Sequence, residues 1–559
     1  MDVITRYFCE GAARIPREGR RATPSTVVTP VRDESVPAGG FRVHYREDEV
    51  LVEHSDAAGL QAGLDMVEVL AEDESFTQAL EVADAPLMET RSYLLDVSGD
   101  RIPTWDSFVR LVDVMERLRL NQLELRVGHA FTYVGHEDVW EGTSPLTAGQ
   151  LKRLASLCDA HGVRLVCAIE PLTHWERWLA LPAYRNRAEL PDGRVDDRGE
   201  HHPPSELAAT PSNAHFAGGL VAELLEALGS GLLNVGGHAT TELGLGRSMA
   251  RVERRGLAEV YLDYLEHATE AVGSAGAVAE MWADLFVVRP DLIERLPDHV
   301  VPYVRCSVPP GEGRGGFGAA GSPLVGTHRP FGVAPGTGTW NTFCGRLAAT
   351  RANIGDAVEW GVAHGATGLL LTEWAGHGHW APRALCLPAL VEAAVRAWRG
   401  QGPGEAMEML LAALVPADVA GAVLVLGTLP EKVPVPTRNT DITWESLSLG
   451  GHLPPEWEIT RRMVEDGRGV LADAERMLRS STSGAGALQR NAVHLCVSVS
   501  SFALTLVEAD RGWSRAAPSD LGRRWAELRR RQRAVWLADA RPGGLEHSLS
   551  LLDPVPEPD

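Results

Sequence analysis

Positive charge is the first thing this chain has little of. Lys and Arg together number 53 against 75 Asp and Glu, a formal net charge of −22 over 559 residues. That balance argues against a nucleic-acid backbone or an anionic membrane as partner. The acids are spread along the sequence rather than run in a block, which reads as a solvated surface. No stretch approaches the roughly 18 uninterrupted apolar residues of a membrane span. The opening MDVITRYFCEGAARIPREGRR has neither the apolar segment nor the cleavage site of a secretory signal. Cysteine is sparse too: seven residues, at positions 9, 158, 167, 306, 344, 386 and 496, odd in number, with no CxxC. Wide spacing of that kind excludes a disulfide framework and fits reduced thiols and a cytoplasmic location. There is no solenoid-type repeat.

What is present is rhythm. Residues 1–87 mix short β-type runs (TRYFCEG, STVVTPV, FRVHYRE) with one helical pattern, DAAGLQAGLDMVEVLAED, and read as a small α/β domain. From residue 88 eight apolar runs alternate with helical patterns: YLLDVS (93–98), QLELRVG (122–128), VRLVCAIE (163–170), LLNVGG (232–237), VAEMWAD (278–284), VVPYVRCS (300–307), FGVAPG (331–336) and TGLLLTEW (367–374). Near-continuous apolar strands between amphipathic helices imply a parallel sheet covered by helices. Eight such units in 88–398 predict an α/β fold of the closed (β/α)8 TIM-barrel type. Thr147 with Gln150 predicts a capped helix start, and VERRGLAEVYLDYLEHATEAV predicts one long helix. GEGRGGFGAAGSPLVGTHRP (311–330) has loop composition and reads as a cover over the barrel mouth or as disorder. The helical period dominates 399–559, which reads as a C-terminal helical domain.

In such a barrel the chemistry is placed at the C-terminal strand ends. The first strand supplies Asp96, with Arg91 ahead of it. The second leads to His129, His136 and Glu137. The third leads to Glu170, His174 and Glu176, the fourth to His238 and Glu242, and the fifth holds Trp282. The seventh leads to Trp340, and the eighth to Glu373, Trp374, His379 and Trp380. Tryptophan faces with convergent polar groups suit a saccharide. Taken singly, each Trp or His is more often a packing residue. The histidines 129, 136, 174 and 238 with Glu137 raise a metal site as an alternative, but HExxH spacing is missing, so neither metal nor cofactor is expected.

Seven segments in order carry a resemblance: RSYLLDVSGDRIP, GHAFTYVGHEDVWEGTSPLT, THWERWL, NVGGHATTELGLGRS, EMWADLF, APGTGTWNTFCGR and TEWAGHGHW. Over roughly 88–395 they resemble the catalytic barrel of glycoside hydrolase family 20, in its bacterial cytoplasmic-type branch of β-N-acetylhexosaminidase-like proteins. The resemblance implies substrate-assisted catalysis, in which the substrate's own acetamido oxygen attacks the anomeric carbon. It also implies sugar-contacting roles for Arg91, Asp96, His129, His136, Glu137, His174, Trp282, Trp340, Glu373, Trp374, His379 and Trp380. The family's polarising Asp and general-acid Glu follow the fourth strand, where this chain has His238-Ala239. Trp374-Ala375-Gly376 likewise replaces a Trp-Gly-Asp, and Tyr303-Val304-Arg305-Cys306 stands where the branch carries a Trp and a Tyr.

The expected function is therefore binding of, or action on, an N-acetylhexosamine-like sugar or glycoside without the standard acid pair. His238 and Glu242 are the candidate replacement catalysts. The alternatives are a rerouted chemistry (lyase, transferase or unusual aminosugar glycosidase) using His238 and a nearby Glu, or a non-catalytic assembly platform.

Overall fold

The computed structural model describes residues 2–10, 13–17, 27–46, 49–72, 79–196, 199–238, 240–311, 315–480, 486–514 and 517–552. Its centre is a closed barrel of eight parallel strands, Thr90–Asp96, Gln122–Arg126, Arg164–Ala168, Leu232–Asn234, Val278–Trp282, Val300–Arg305, Gly332–Ala334 and Gly368–Glu373. All eight coincide with the apolar runs. The ring closes where Gly368–Glu373 pairs with Thr90–Asp96 in register, Gly368 opposite Thr90 and Glu373 opposite Leu95. Leu94, Ala168, Trp282, Tyr303, Ala334 and Leu370 form a separate buried cluster among these strands.

Helices cover the outside. Trp105–Arg117 starts at Thr104, whose hydroxyl accepts from Ser107 N. Ala148–Ala160 starts in the reciprocal Thr147–Gln150 capping box expected from the sequence. The expected long helix after the fourth strand is instead three pieces, Met249–Arg255, Leu257–Ala268 and Glu270–Ser274. Gly256, at φ +87°, leaves helical space and divides the first two. The 311–330 stretch is not a bare loop: it holds the short helix Phe317–Gly321, with Phe317 fully buried, while 312–314 lie outside the described residues.

Ahead of the barrel, five strands form a sheet in the order Ala13–Arg17, Ala79–Asp84, Phe41–Arg46, Glu49–His54, Val27–Arg32. Helix Ala57–Glu72 packs on it through Ala62, Met66, Val69 and Leu70. Gly63 permits the close approach, since a Cβ there would overlap Val52.

Behind the barrel lie helices including Arg461–Arg479, Ala487–Asp510, Pro518–Asp539 and Leu545–Ser550. Ala487–Asp510 is long and apolar enough to cross a membrane by length and composition, but 72% of its apolar window is buried among its neighbours. The helices are tied to loops at the barrel's mouth. Arg101 donates to the carbonyls of His379 and Ala381 (2.7 and 2.6 Å) and lies over Trp536. Arg541 N donates to Ile102 O at 2.8 Å. This anchoring brings the last helix to the rim of the site.

Inside the barrel, Glu124 and Glu280 are buried with Gln122 and Asn234, which donate to Glu124 at 2.9 and 3.0 Å. Burial, then the charge of Glu280, pushes the Glu124 carboxyl well above its usual range. A raised native pKa stabilises most below the unfolded value of about 4.3 and is progressively lost as pH rises above it. Glu124→Gln removes the ionising group. Its thermal stability is expected to fall less steeply than that of the wild type between pH 5 and 8, measured by calorimetry at several pH values.

Candidate functional site

The mouth is organised around Glu170, two residues past the third strand and 8% exposed. Nδ1 of His238 lies 2.6 Å from its Oε1, and the backbone N of Gly237 donates to its Oε2 at 3.1 Å. Trp282 Nε1 donates to Oε1 at 3.4 Å, and Arg126 Nε stands 3.8 Å from the same oxygen. The two glycines of NVGGH are required here. Gly236 has φ +62° and Gly237 φ +102°, and a Cβ on Gly236 would overlap the Glu170 carboxylate.

Arg126 connects this hub to the first strand. It donates to Asp96 Oδ2 at 3.2 Å and to Ser98 Oγ at 2.6 Å, and its guanidinium lies 5.8 Å from the Trp374 ring centre. Asp96 also accepts from Ala375 N at 3.1 Å, so it locks the first and eighth strand ends together. His238 sits edge-on to Trp374, Trp282 and His174 at 5.5, 5.8 and 5.0 Å.

The electrostatics separate the carboxyls. Burial alone would raise Glu170, but His238, Arg126 and His174 outweigh it and hold the group well below the usual carboxylate range. Glu176 is shifted upward, first by desolvation. His174 is reachable by solvent yet recessed in the concave wall, where desolvation and the nearby Arg126 lower it to about 4. Its imidazole is thus neutral at pH 7.

Beside the hub opens a cavity of about 440 Å³ between the ends of the first three strands. It is lined by the largely buried Trp175 and Trp178, by Asp100, His129, Glu170, His174 and Glu176, and by His547 of the C-terminal helix. No described residue of the 311–330 stretch lines it. His129 Nε2 is 2.8 Å from Asp100 Oδ1. Of the seven non-glycine residues with positive φ among the described residues, Asp100, His174, Asn341 and His379 lie on mouth loops, concentrating strained backbone there.

The structure gathers Asp96, His129, His174, His238, Trp282, Glu373 and Trp374 at or beneath the mouth. Glu373 is 2% exposed and accepts from Tyr93 OH within the barrel. Trp340 lies between the seventh and eighth strand ends, against Gly336 and Gly376. The remaining expected residues are elsewhere or differently engaged. Arg91 is at the opposite end of the barrel, because it opens its strand rather than closing it. Its guanidinium donates to the carbonyls of Met88, Glu89 and Arg119 and lies over Trp398. His136 belongs to an aromatic cluster behind the cavity wall, 2.6 Å from Tyr184 OH and edge-on to Trp178 and Phe216. Glu137 is exposed and accepts only from Gly135 N. Glu242, the candidate catalyst, is 1% exposed and accepts from Ser205 N and Oγ at 3.1 and 2.6 Å, anchoring a loop outside the cavity. Trp380 stacks on Trp525 at 5.6 Å and packs into the helical region. The buried His379 gives its carbonyl to Arg101, and its Nε2 faces Glu373 at 3.9 Å. Ala239 lies outside the described residues.

Arg126, Asp100, Trp175, Trp178 and His547 were not among the expected site residues, while Glu176, expected after the third strand, does line the cavity. Arg126 at the C-terminal end of a buried barrel strand, and Trp175 and Trp178 at helical spacing, were the available signals. His547 had none. Arg91→Ala is expected to lower stability by about 1–3 kcal/mol, since the buried Met88 carbonyl and the part-buried Arg119 carbonyl lose their guanidinium donor, and to leave ligand binding at the mouth unchanged. Chemical denaturation and ligand titration check the two halves.

Neither a family model nor a curated protein sequence matches the chain. Solved structures do. A chitobiase of Flavobacterium johnsoniae superposes with a TM-score of 0.54 at 11% identity, covering 92% of this chain and 94% of its own. The β-N-acetylhexosaminidase of Bacteroides fragilis gives 0.50 at 13%, over 70% of this chain and 88% of its own. The family 20 β-N-acetylhexosaminidase of Streptomyces coelicolor A3(2) gives 0.50 at 14%, over 75% and 97%. The fold is that of the family 20 β-N-acetylhexosaminidases. In this hexosaminidase fold the Flavobacterium match extends beyond the barrel over nearly the whole chain. At 11–14% identity the likeness concerns the fold and leaves the site to its own geometry.

Proposed function

We propose that the barrel mouth binds an N-acetylhexosamine-like sugar or a glycoside of one, and that the usual substrate-assisted hydrolysis is not its reaction. The observation that carries this reading is the cavity of about 440 Å³ at the C-terminal strand ends, lined by Trp175 and Trp178 together with His129, Glu170, His174 and Glu176. Its volume is in the range of small-molecule sites, and apolar ring faces with a few convergent polar groups match a pyranose. The neighbours of this fold from Bacteroides fragilis and Streptomyces coelicolor are β-N-acetylhexosaminidases, which supports the ligand class. The sequence at 238–239 is His-Ala, and neither an acetamide-polarising carboxylate nor a general acid is supplied there. A cavity at the strand ends that no described residue of the 311–330 stretch lines supports ligand binding over a purely structural platform.

A rerouted reaction is the second reading, favoured by Glu176 and Glu170. One carboxyl is pushed up and the other down within one cavity, the arrangement that separates a proton donor from a permanent anion. Calorimetric titration with N-acetylglucosamine and N-acetylgalactosamine tests binding. Saturable binding weakened at least tenfold by His129→Ala supports the reading, and no heat of binding with either sugar contradicts it.

A further inference from the structure

We propose that Glu170, His174 and His238 form a binding site for a single divalent transition-metal ion of the zinc type, with its remaining coordination positions facing the 440 Å³ cavity. Each residue offers one ligand atom, and the three atoms lie within 4.8 Å of one another. The two imidazole rings stand edge-to-face at 81°, 5.0 Å apart, so their nitrogens converge rather than stack. Two imidazoles with one carboxylate is a donor set suited to zinc and its neighbours and poorly suited to calcium or magnesium, which take oxygen ligands.

The surroundings are those of a held site. Glu170 is oriented by Gly237 N and Trp282 Nε1, so its carboxylate is fixed before any ion arrives. His174 is kept at φ +63°, a conformation a bulky residue adopts only where its neighbours enforce it. Ligand bonds of about 2.0–2.2 Å place adjacent ligand atoms roughly 3 Å apart. The 2.6 Å contact between His238 Nδ1 and Glu170 Oε1 therefore opens slightly and His174 moves inward. The ion takes the place of the proton between those two atoms.

Arg126, 3.8 Å from Glu170 Oε1, opposes the cation, but its charge is shared with Asp96 at 3.2 Å. The cavity supplies the entry path, and Glu170 and His174 both line it. His129, His136 and Glu137 take no part, because they are engaged with Asp100, Tyr184 and Gly135. A bound ion would add a Lewis acid, or a water titrating near neutrality, to a mouth whose His238-Ala239 offers no carboxylic acid. The assignment is independent of the sugar reading.

Among the described residues, one other cluster meets the same distance criterion: Asp196, Glu200 and His202 on an exposed hairpin. It provides the control. Full-length protein, stripped with chelator, is titrated with Zn²⁺ by calorimetry and with Co²⁺ by visible absorption. One equivalent is expected to bind, with a Co²⁺ band of low-coordinate imidazole ligation. His174→Ala, on a solvent-reachable residue, is expected to weaken binding at least tenfold, as is Glu170→Gln, while His202→Ala leaves it unchanged. A matching circular dichroism spectrum and melting curve for His174→Ala establishes that the loss is not unfolding. Absence of stoichiometric binding, or binding that survives His174→Ala and disappears in His202→Ala, would overturn the proposal.

Discussion

Replacing Glu170 by alanine is expected to destabilise the fold by about 3–5 kcal/mol, the usual cost of removing one partner from a buried ionic network. Four groups lose a hydrogen-bond partner at once, His238 Nδ1, Gly237 N, Trp282 Nε1 and Thr173 Oγ1, and the Arg126 guanidinium loses a facing charge. Arg126 keeps Asp96 but remains buried with less compensation. The turn at Gly236-Gly237, closed over the carboxylate, also loses what it wraps. Glu170→Gln keeps an acceptor oxygen and is expected to cost roughly half as much. Urea unfolding at pH 7 measures both, and an unchanged m-value confirms that the native state alone has been altered. The pH dependence has a definite sign. The carboxyl is held well below its usual range, so its contribution is complete above the unfolded value of about 4.3 and is lost as pH falls below it. The gap between wild type and Glu170→Ala is therefore expected to narrow in acid. A gap of under 1 kcal/mol at pH 7 would mean that Glu170 is not the hub.

Rebuilding the acid pair is expected to create turnover. His238→Asp with Ala239→Glu returns a polarising carboxylate and a proton donor to the positions where the family-like barrel carries them. A positioned general acid contributes about 10²–10⁴-fold. Hydrolysis of a fluorogenic N-acetylglucosaminide and its galacto epimer, followed across pH 5–8, is expected to rise by at least about 10²-fold over wild type. The geometry adds a condition. An Asp at 238 would meet Glu170 where His238 now lies 2.6 Å away, and two carboxylates at that distance do not both ionise. The triple variant with Glu170→Gln is therefore expected to exceed the double. Equal wild-type and double-variant rates, both well above background, would show that the acid is supplied elsewhere, and Glu176 would be the next residue to replace.

The barrel was legible because its strands are buried on both faces and read as continuous apolar runs, and because Thr147 and Gln150 announce a helix start in two residues. The long helix after the fourth strand was overestimated, since one glycine, Gly256, breaks a periodicity that otherwise continues. The site was less legible, for geometric reasons. Arg91 precedes Asp96 by five residues, and that distance along a strand separates the two ends of a barrel. Trp380 follows a strand end closely, but the loop turns it into the helical region, while His379 keeps its ring on Glu373 and gives its carbonyl to Arg101. Glu242 carries the right charge near the right strand and is consumed by Ser205. His547 reaches the rim only because the C-terminal helices dock on the mouth loops, a long-range contact that no local pattern encodes.

The central claim is that a hexosamine-like sugar occupies the cavity beside Glu170. Its most direct test is a crystal structure of the wild type grown with saturating N-acetylglucosamine. The account predicts density for one pyranose against Trp175 and Trp178, hydrogen-bonded to groups among His129, Glu170, His174 and Glu176. A sugar bound only elsewhere on the surface, or a cavity holding water alone at saturation, would contradict it.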